Sequence, residues 1–257
     1  MVDPTPDSAP LRESVLAGSI ARLPPARLGV AVVAELVAAI VTDELAPGDV
    51  LPPEGMLSQR FGVSRTVIRE SVKRVEEKGL VTVAQGRGTT VNPATEWNVL
   101  DPVVLSALVD HDDTLGVLDE LSVVRGSLEA SMAAAAARRQ NAQRTEQLQA
   151  AFAQTEQTIH DFEAYNEADA AFHYTVMEQS DIRLAANITR ILFARARESA
   201  RFTGTPGSEA MRLTLDEHRL VLEAIISGDA EAASVAMSEH IANAWARRRP
   251  QNHRARD

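Results

Sequence analysis

Phe61-Gly62-Val63-Ser64-Arg65-Thr66-Val67-Ile68-Arg69-Glu70 is the stretch on which the reading of this chain turns. Gly62-Val63 makes a tight turn, and Ser64 offers an N-cap oxygen to the N–H groups of a first helical turn. The spacing that follows predicts a helix to about Lys78, stopped by Gly79. Within it Ile68, Val72 and Val75 share one face, while Arg65, Arg69 and Lys73 recur at i, i+4 and i+8 on a neighbouring face. Ser64 to Arg74 carries four basic residues against one acidic. A helix with one face for packing and a basic face left free suits a DNA major groove, where Arg donates two hydrogen bonds to guanine and Lys or Arg meets phosphate. A solvated helix face gives the same charge run, so the flanking residues decide between the two.

Upstream, Leu28, Val32, Leu36 and Ile40 keep near-helical spacing until Pro47-Gly48, and Pro53-Glu54 opens a short second helix through Phe61. Downstream, Leu80 to Ala84 and Thr89 to Asn92 read as strands around Gln85-Gly86-Arg87-Gly88, a glycine-rich hairpin tip. This is the outline of a winged helix-turn-helix. Turn, cap, basic face and Gly-Arg-Gly wing occurring together favour DNA over the solvated face.

Charge and composition set the limits of that domain. Arg27 to Pro93 balances 8 basic and 8 acidic residues, whereas Ala94 to Asp257 has 16 basic against 25 acidic. The whole 257-residue chain carries a net charge of -10, so nucleic-acid contact is confined to a local patch. With no cysteine, disulfide frameworks and thiolate metal sites are excluded. No apolar run approaches the roughly 18 residues of a membrane span, and Met1 to Pro10 lacks the order of a signal peptide, so a cytoplasmic protein without membrane contact is expected. Both lysines, Lys73 and Lys78, precede Ala94, and long Ala/Leu/Glu/Arg stretches follow it. A mainly α chain is predicted: a flexible leader at 1–26, a winged helix-turn-helix at 27–93, a linker at 94–101, an all-α bundle at 102–250 and a tail at 251–257.

Helices are expected over Pro102 to Val109, Leu115 to Arg139, Ala142 to Ile159, Phe162 to Gln179, Leu184 to Phe202, Glu209 to Ile226 and Ala230 to Arg248. Asp169 and His173 stand four apart on one helix and can share a cation. Gly228-Asp229 punctuates the last two helices, with His218 ten residues before Gly228 and His240 eleven after Asp229. At about 1.5 Å of rise per residue, an antiparallel pair brings these two to one height. Three imidazoles and a carboxylate can thus converge. A lone histidine on such a helix is more often a satisfied core residue, but the equal arms together with the i, i+4 pair favour a divalent ion, zinc before nickel or manganese. His111, His160 and His253 have no comparable partners.

The first-domain motifs carry a resemblance. Leu51-Pro52-Pro53-Glu54, the quoted turn and helix, Glu77-Lys78-Gly79-Leu80-Val81 and Gly86-Arg87-Gly88-Thr89 resemble the DNA-binding domain of the GntR family of bacterial transcription regulators. The resemblance implies DNA contacts at Ser64, Arg65, Thr66 and Arg69, with Gln85, Gly86 and Arg87 in the wing, beside the Lys73 of the basic face. Many members have Arg after the Glu of the Leu-Pro-x-Glu motif where this chain has Gly55, which bears on the operator it reads.

Glu120-Leu121-Ser122-Val123-Val124-Arg125 with Leu128-Glu129, Asn166 to His173, His218 to Ile225, and Gly228-Asp229 with His240-Ile241 resemble the effector (FCD) domain of the FadR subfamily in its metal-binding version. That resemblance implies a homodimer in which Asp169, His173, His218 and His240 hold the ion and Arg125 helps bind an effector carboxylate. An ordinary helix-pairing arginine is the alternative at Arg125. Trp97-Asn98-Val99-Leu100-Asp101 resembles the junction in regulators of sugar-acid catabolism, which points to an aldonate or similar hydroxy acid rather than a long acyl chain. The expected function is a repressor whose operator binding is controlled by a small carboxylate. A metal-dependent hydrolase is the rival, but HExxH and paired ExxH motifs are absent and a hydrolase has no use for the basic helix. A non-specific architectural DNA binder leaves the histidine cluster unexplained.

Overall fold

The computed structural model describes residues 25–84, 86–198 and 207–249. Gln85, the sequence-predicted helix beyond Glu198, the tail at 251–257 and all but the end of the 1–26 leader lie outside the described residues.

Helix α1 (Pro25–Val41) buries Val32, Leu36 and Ile40 of the expected stripe, with Leu28 partly buried, and widens it with Val33 and Val37. That stripe packs on α3 (Arg65–Glu77), whose buried residues Ile68, Ser71, Val72 and Val75 leave the basic face in solvent. Between them, α2 (Glu54–Phe61) ends at Gly62. Ser64 caps α3, its side chain accepting from Val67 N. Strands β1 (Val81–Ala84) and β2 (Gly88–Val91) pair antiparallel, with Val81 opposite Val91 and Ala84 opposite Gly88. The hairpin is fastened to α3, since Glu76 Oε1 accepts from Val83 N at 2.9 Å. Val50 adds an unforeseen bridge to Thr90, and Leu51 N donates to Thr89 O, because the residues before α2 lie along the free edge of β2.

The junction is held down rather than free. A 3-10 turn over Ala94–Glu96 precedes Trp97, whose indole N–H donates to Asn92 O at 3.1 Å. Asn98 N donates to Lys78 O, and Lys78 Nζ donates to Asp101 Oδ2 at 2.6 Å. Gly79, read from sequence only as a helix stop, has φ +78, and a Cβ there would collide with the Glu96 carbonyl oxygen. Asp101 then caps α4 (Pro102–His111), accepting from Val103 N and Val104 N. Helix α4 divides its faces. Val104, with Val103, Ala107 and Leu108 beside it, completes the first-domain core, while Leu105 and Val109 join a cluster with Leu118, Leu121, Leu192, Ala196 and Trp245.

The bundle comprises α5 (Gly116–Ala137), α6 (Ala142–Thr158), α7 (Phe162–Gln179), α8 (Arg183–Glu198), α9 (Ser208–Ile226) and α10 (Ala230–Arg248). Helix α5 is central and touches α7, α8, α9 and α10. Its buried run Ala133 to Ala137 is short-chained and lets neighbours approach closely. The start of α5 falls one residue later than the sequence suggested, because Leu115 has φ +64 and the helix is closed by Asp112 Oδ2, which accepts from Val117 N. Among the described residues, no helix is long and apolar enough to cross a membrane.

Candidate functional site

Helices α9 and α10 meet at Gly228, whose φ of +77 reverses the chain, and Asp229, whose Oδ1 accepts from Glu231 N and Ala232 N. The two arms bring His218 and His240 face to face, with their Nε2 atoms 3.1 Å apart. From α7, His173 places its Nε2 at 3.3 Å from that of His218 and 3.2 Å from that of His240. Asp169, one turn earlier on α7, lies at the edge, with Oδ1 3.7 Å from His218 Nε2. All four residues are buried.

Donor chemistry tests whether this cluster fits a metal. Ligand nitrogens about 2.0–2.1 Å from one ion sit about 3.4 Å apart at a tetrahedral angle and about 2.9 Å apart at a right angle; the three separations fall between. His173 Nδ1 faces Glu129 Oε2 at 2.6 Å, and His240 Nδ1 faces Glu217 Oε2 at 3.1 Å. An ionised carboxylate only accepts, so both Nδ1 atoms carry the proton and both Nε2 lone pairs point into the cluster. Burial first, and then the neighbouring imidazoles, push His218 well below the usual histidine range; burial likewise lowers His240 although Glu217 opposes it. Burial thus disfavours a second proton on the rings of His218 and His240. The three imidazoles fit a divalent cation, and the Asp169 carboxylate stands at the edge of the cluster.

Burial would raise Glu129, but Arg125 and His173 overcome it and hold the carboxyl at about 2. Glu217 is likewise held at about 2: partial burial is outweighed by Arg247, which bonds both of its oxygens at 2.6 and 2.7 Å, and by His240. The sequence names Glu129 only within the effector-domain motif, without a role, and Glu217 not at all.

Arg125 lies beside the cluster, 7% exposed, with its guanidinium carbon 3.8 Å from the centre of the Phe193 ring. Its Nε donates to Glu129 Oε1 at 2.8 Å, and among the described residues neither Nη atom has a hydrogen-bond partner. A cavity of about 30 Å³ is lined by Arg125, Asp169, His173, His240, Ser122 and Arg248. Its apolar wall is formed by Leu118, Leu121, Ala196 and Trp245, the same residues that pack on α4.

On the first domain, Arg65, Thr66, Arg69 and Lys73 are exposed along α3, and Gly86 and Arg87 are exposed at the wing tip. Ser64 is exposed too, but its side chain is engaged in capping. Arg69 is not loose: Nε and Nη2 donate to Glu54 Oε1 and Oε2 at 3.1 and 2.9 Å, which orients the guanidinium and holds Glu54 below the usual carboxylate range. At Gly55 an added Cβ would meet Arg65 Nη2 at 3.4 Å, so the Arg65 guanidinium lies over the place where a longer side chain would start.

Comparison with known proteins places both halves. Residues 28–91 match the bacterial regulatory proteins of the gntR family, and residues 120–243 match the FCD domain. The galactonate operon transcriptional repressor of Escherichia coli (strain K12) is 30% identical over 208 residues, covering 81% of this chain and 91% of that protein. The HTH-type transcriptional regulator LutR of Bacillus subtilis (strain 168) is 27% identical, covering 79% and 93%. Among solved structures, that of Lar, described as controlling the agr system of Listeria monocytogenes, superposes with a TM-score of 0.55 at 20% identity, covering 86% of this chain and 96% of that one.

Proposed function

The chain belongs to the GntR family of bacterial regulatory proteins, which are DNA-binding transcription regulators and not enzymes, and carries its metal-binding effector domain, FCD; on that premise we propose a homodimeric repressor released or engaged by a small carboxylate bound at a metal site. Arg65 and Arg69, with Thr66, Lys73 and the wing residues Gln85, Gly86 and Arg87, meet the operator, and Ser64 positions the helix end. Asp169, His173, His218 and His240 hold a divalent ion, zinc before nickel or manganese, which supplies open coordination positions for an acid. Arg125 receives the other carboxylate oxygen through its Nη edge.

The observation that carries this reading is the convergence of three Nε2 atoms beside a cavity that His173, His240 and the buried Arg125 line. The cavity's lining also suggests how binding reaches the DNA. An aldonate or similar hydroxy acid whose carboxylate sits in the cavity lies against the wall of Leu118, Leu121 and Trp245. That wall supports Leu105 and Val109 of α4, whose other face is built into the winged domain. Acid binding therefore shifts the population of winged-domain orientations through α4. A sugar acid is favoured by the likeness to the galactonate operon repressor.

Gel-shift titration with galactonate and other sugar acids tests the reading. Wild type should change its operator affinity on adding the acid. Arg125→Ala should bind operator and, in metal-replete buffer, keep its ion, yet lose the acid response. An Arg125→Ala protein that responds like wild type places the effector elsewhere; a wild type indifferent to every sugar acid removes the acid class.

A further inference from the structure

Glu129 touches both halves of the site. It is 1% exposed, one helical turn from Arg125 on α5, and it gives one oxygen to Arg125 Nε at 2.8 Å and the other to His173 Nδ1 at 2.6 Å. Resting on the metal-and-acid reading above, we propose that Glu129 is a positioning residue that couples acid binding to metal retention: the same carboxylate orients the guanidinium that receives the acid and the imidazole that holds the ion.

Each orientation follows from the bonds. His173 must present its Nε2 lone pair to the cluster while Glu129 accepts its Nδ1 proton. Arg125 must present its Nη edge to the cavity while Nε is tied behind and Phe193 lies against the plane. Neither side chain can turn without leaving one oxygen of a buried carboxylate unpaired. An anion on the Nη edge draws guanidinium charge away from Glu129, which leaves that carboxylate to polarise His173 more strongly. The acid thus tightens the ion, and by linkage the ion tightens the acid by the same factor. Glu217 provides an internal comparison. It supports His240 in the same way, but its arginine is Arg247, which does not line the cavity.

The experiment uses the full chain loaded with Co(II), whose visible absorption reports its ligands, with chelator competition for Co(II) affinity and acetate as the carboxylate probe. Glu129→Gln should weaken Co(II) by about 10–100-fold, and at saturating Co(II) should raise the acetate midpoint by about tenfold. Glu217→Gln should weaken Co(II) similarly and leave the acetate midpoint where it is in wild type. Should Glu129→Gln fail to fold, Glu129→Asp, with its carboxylate drawn back by one methylene, shifts both quantities in the same direction. An unmoved acetate midpoint in the Glu129 variants, unmoved Co(II) affinity, or an equal acetate shift in Glu217→Gln overturns the assignment. A wild-type Co(II) spectrum that ignores acetate overturns the acid reading itself, and is seen before any Glu129 variant is made.

Discussion

Arg65 and Arg69 differ in preparation. Arg69 is held in a fork by Glu54, whereas Arg65 lies over Gly55 without a comparable anchor among the described residues. Replacing either with Ala should cost about 1–3 kcal/mol of operator binding where its contact is bidentate to a base. Quantitative gel shifts at fixed salt check this, and an unchanged affinity in both variants would remove α3 as the reading helix. The histidine cluster was legible for a local reason: Gly228-Asp229 marks the reversal, and helical rise then fixes where His218 and His240 meet. Glu129 and Glu217 were not legible as its partners, since they stand 44 and 23 residues from the histidines they support; the motif that contains Glu129 gives it no role, and nothing local separates Glu217 from surface glutamates. The contact of Arg65 with Gly55 was hidden likewise, because it depends on how α2 and α3 cross.

At the level of elements, the caps carry much of the order. Asp229→Ala removes the acceptor for Glu231 N and Ala232 N and should destabilise the bundle by about 0.5–2 kcal/mol; the thermal midpoint of the full chain reads this. Asp101 caps α4 and also receives Lys78. Partial burial would raise its carboxyl, but Lys78 and the N–H groups of Val103 and Val104 prevail and hold it below the usual range. A depressed carboxyl stabilises the fold above its ordinary value, about 3.9, and that contribution fades as pH falls through the folded value. Melting from neutral to acid pH should therefore show a smaller acid loss in Asp101→Asn than in wild type, from a lower start. Parallel curves would mean the cap and the Lys78 pair add nothing. Helix ends were read within a few residues from periodicity and punctuation. The start of α5 was misplaced because its closure comes from Asp112, four residues ahead of the helix, in place of an adjacent cap.

Across the whole molecule, an ion at the proposed site would belong to the fold as well as to the sensor, since His173, His218 and His240 come from α7, α9 and α10 and the glutamate behind His173 from α5. Binding to the folded chain alone adds about 2.7 kcal/mol when free metal stands at 100 times its dissociation constant. Chelation should therefore lower the thermal midpoint, and re-addition should restore it. Metal analysis of purified wild type should find about one ion per chain, lost in a His173→Ala, His218→Ala double variant; a midpoint indifferent to chelator would place no ion in the bundle. The divided faces of α4 have a further consequence for how such proteins can be recombined. Because Val104 sits in the winged-domain core and Lys78 grips Asp101, a winged module excised at residue 93 leaves behind a piece of its own interior. A chimera that grafts this reader onto another sensor keeps that interior intact when the join is made after His111, and the sensor must then supply a seat for Leu105 and Val109. Exchange between relatives is thus constrained at the helix both domains share.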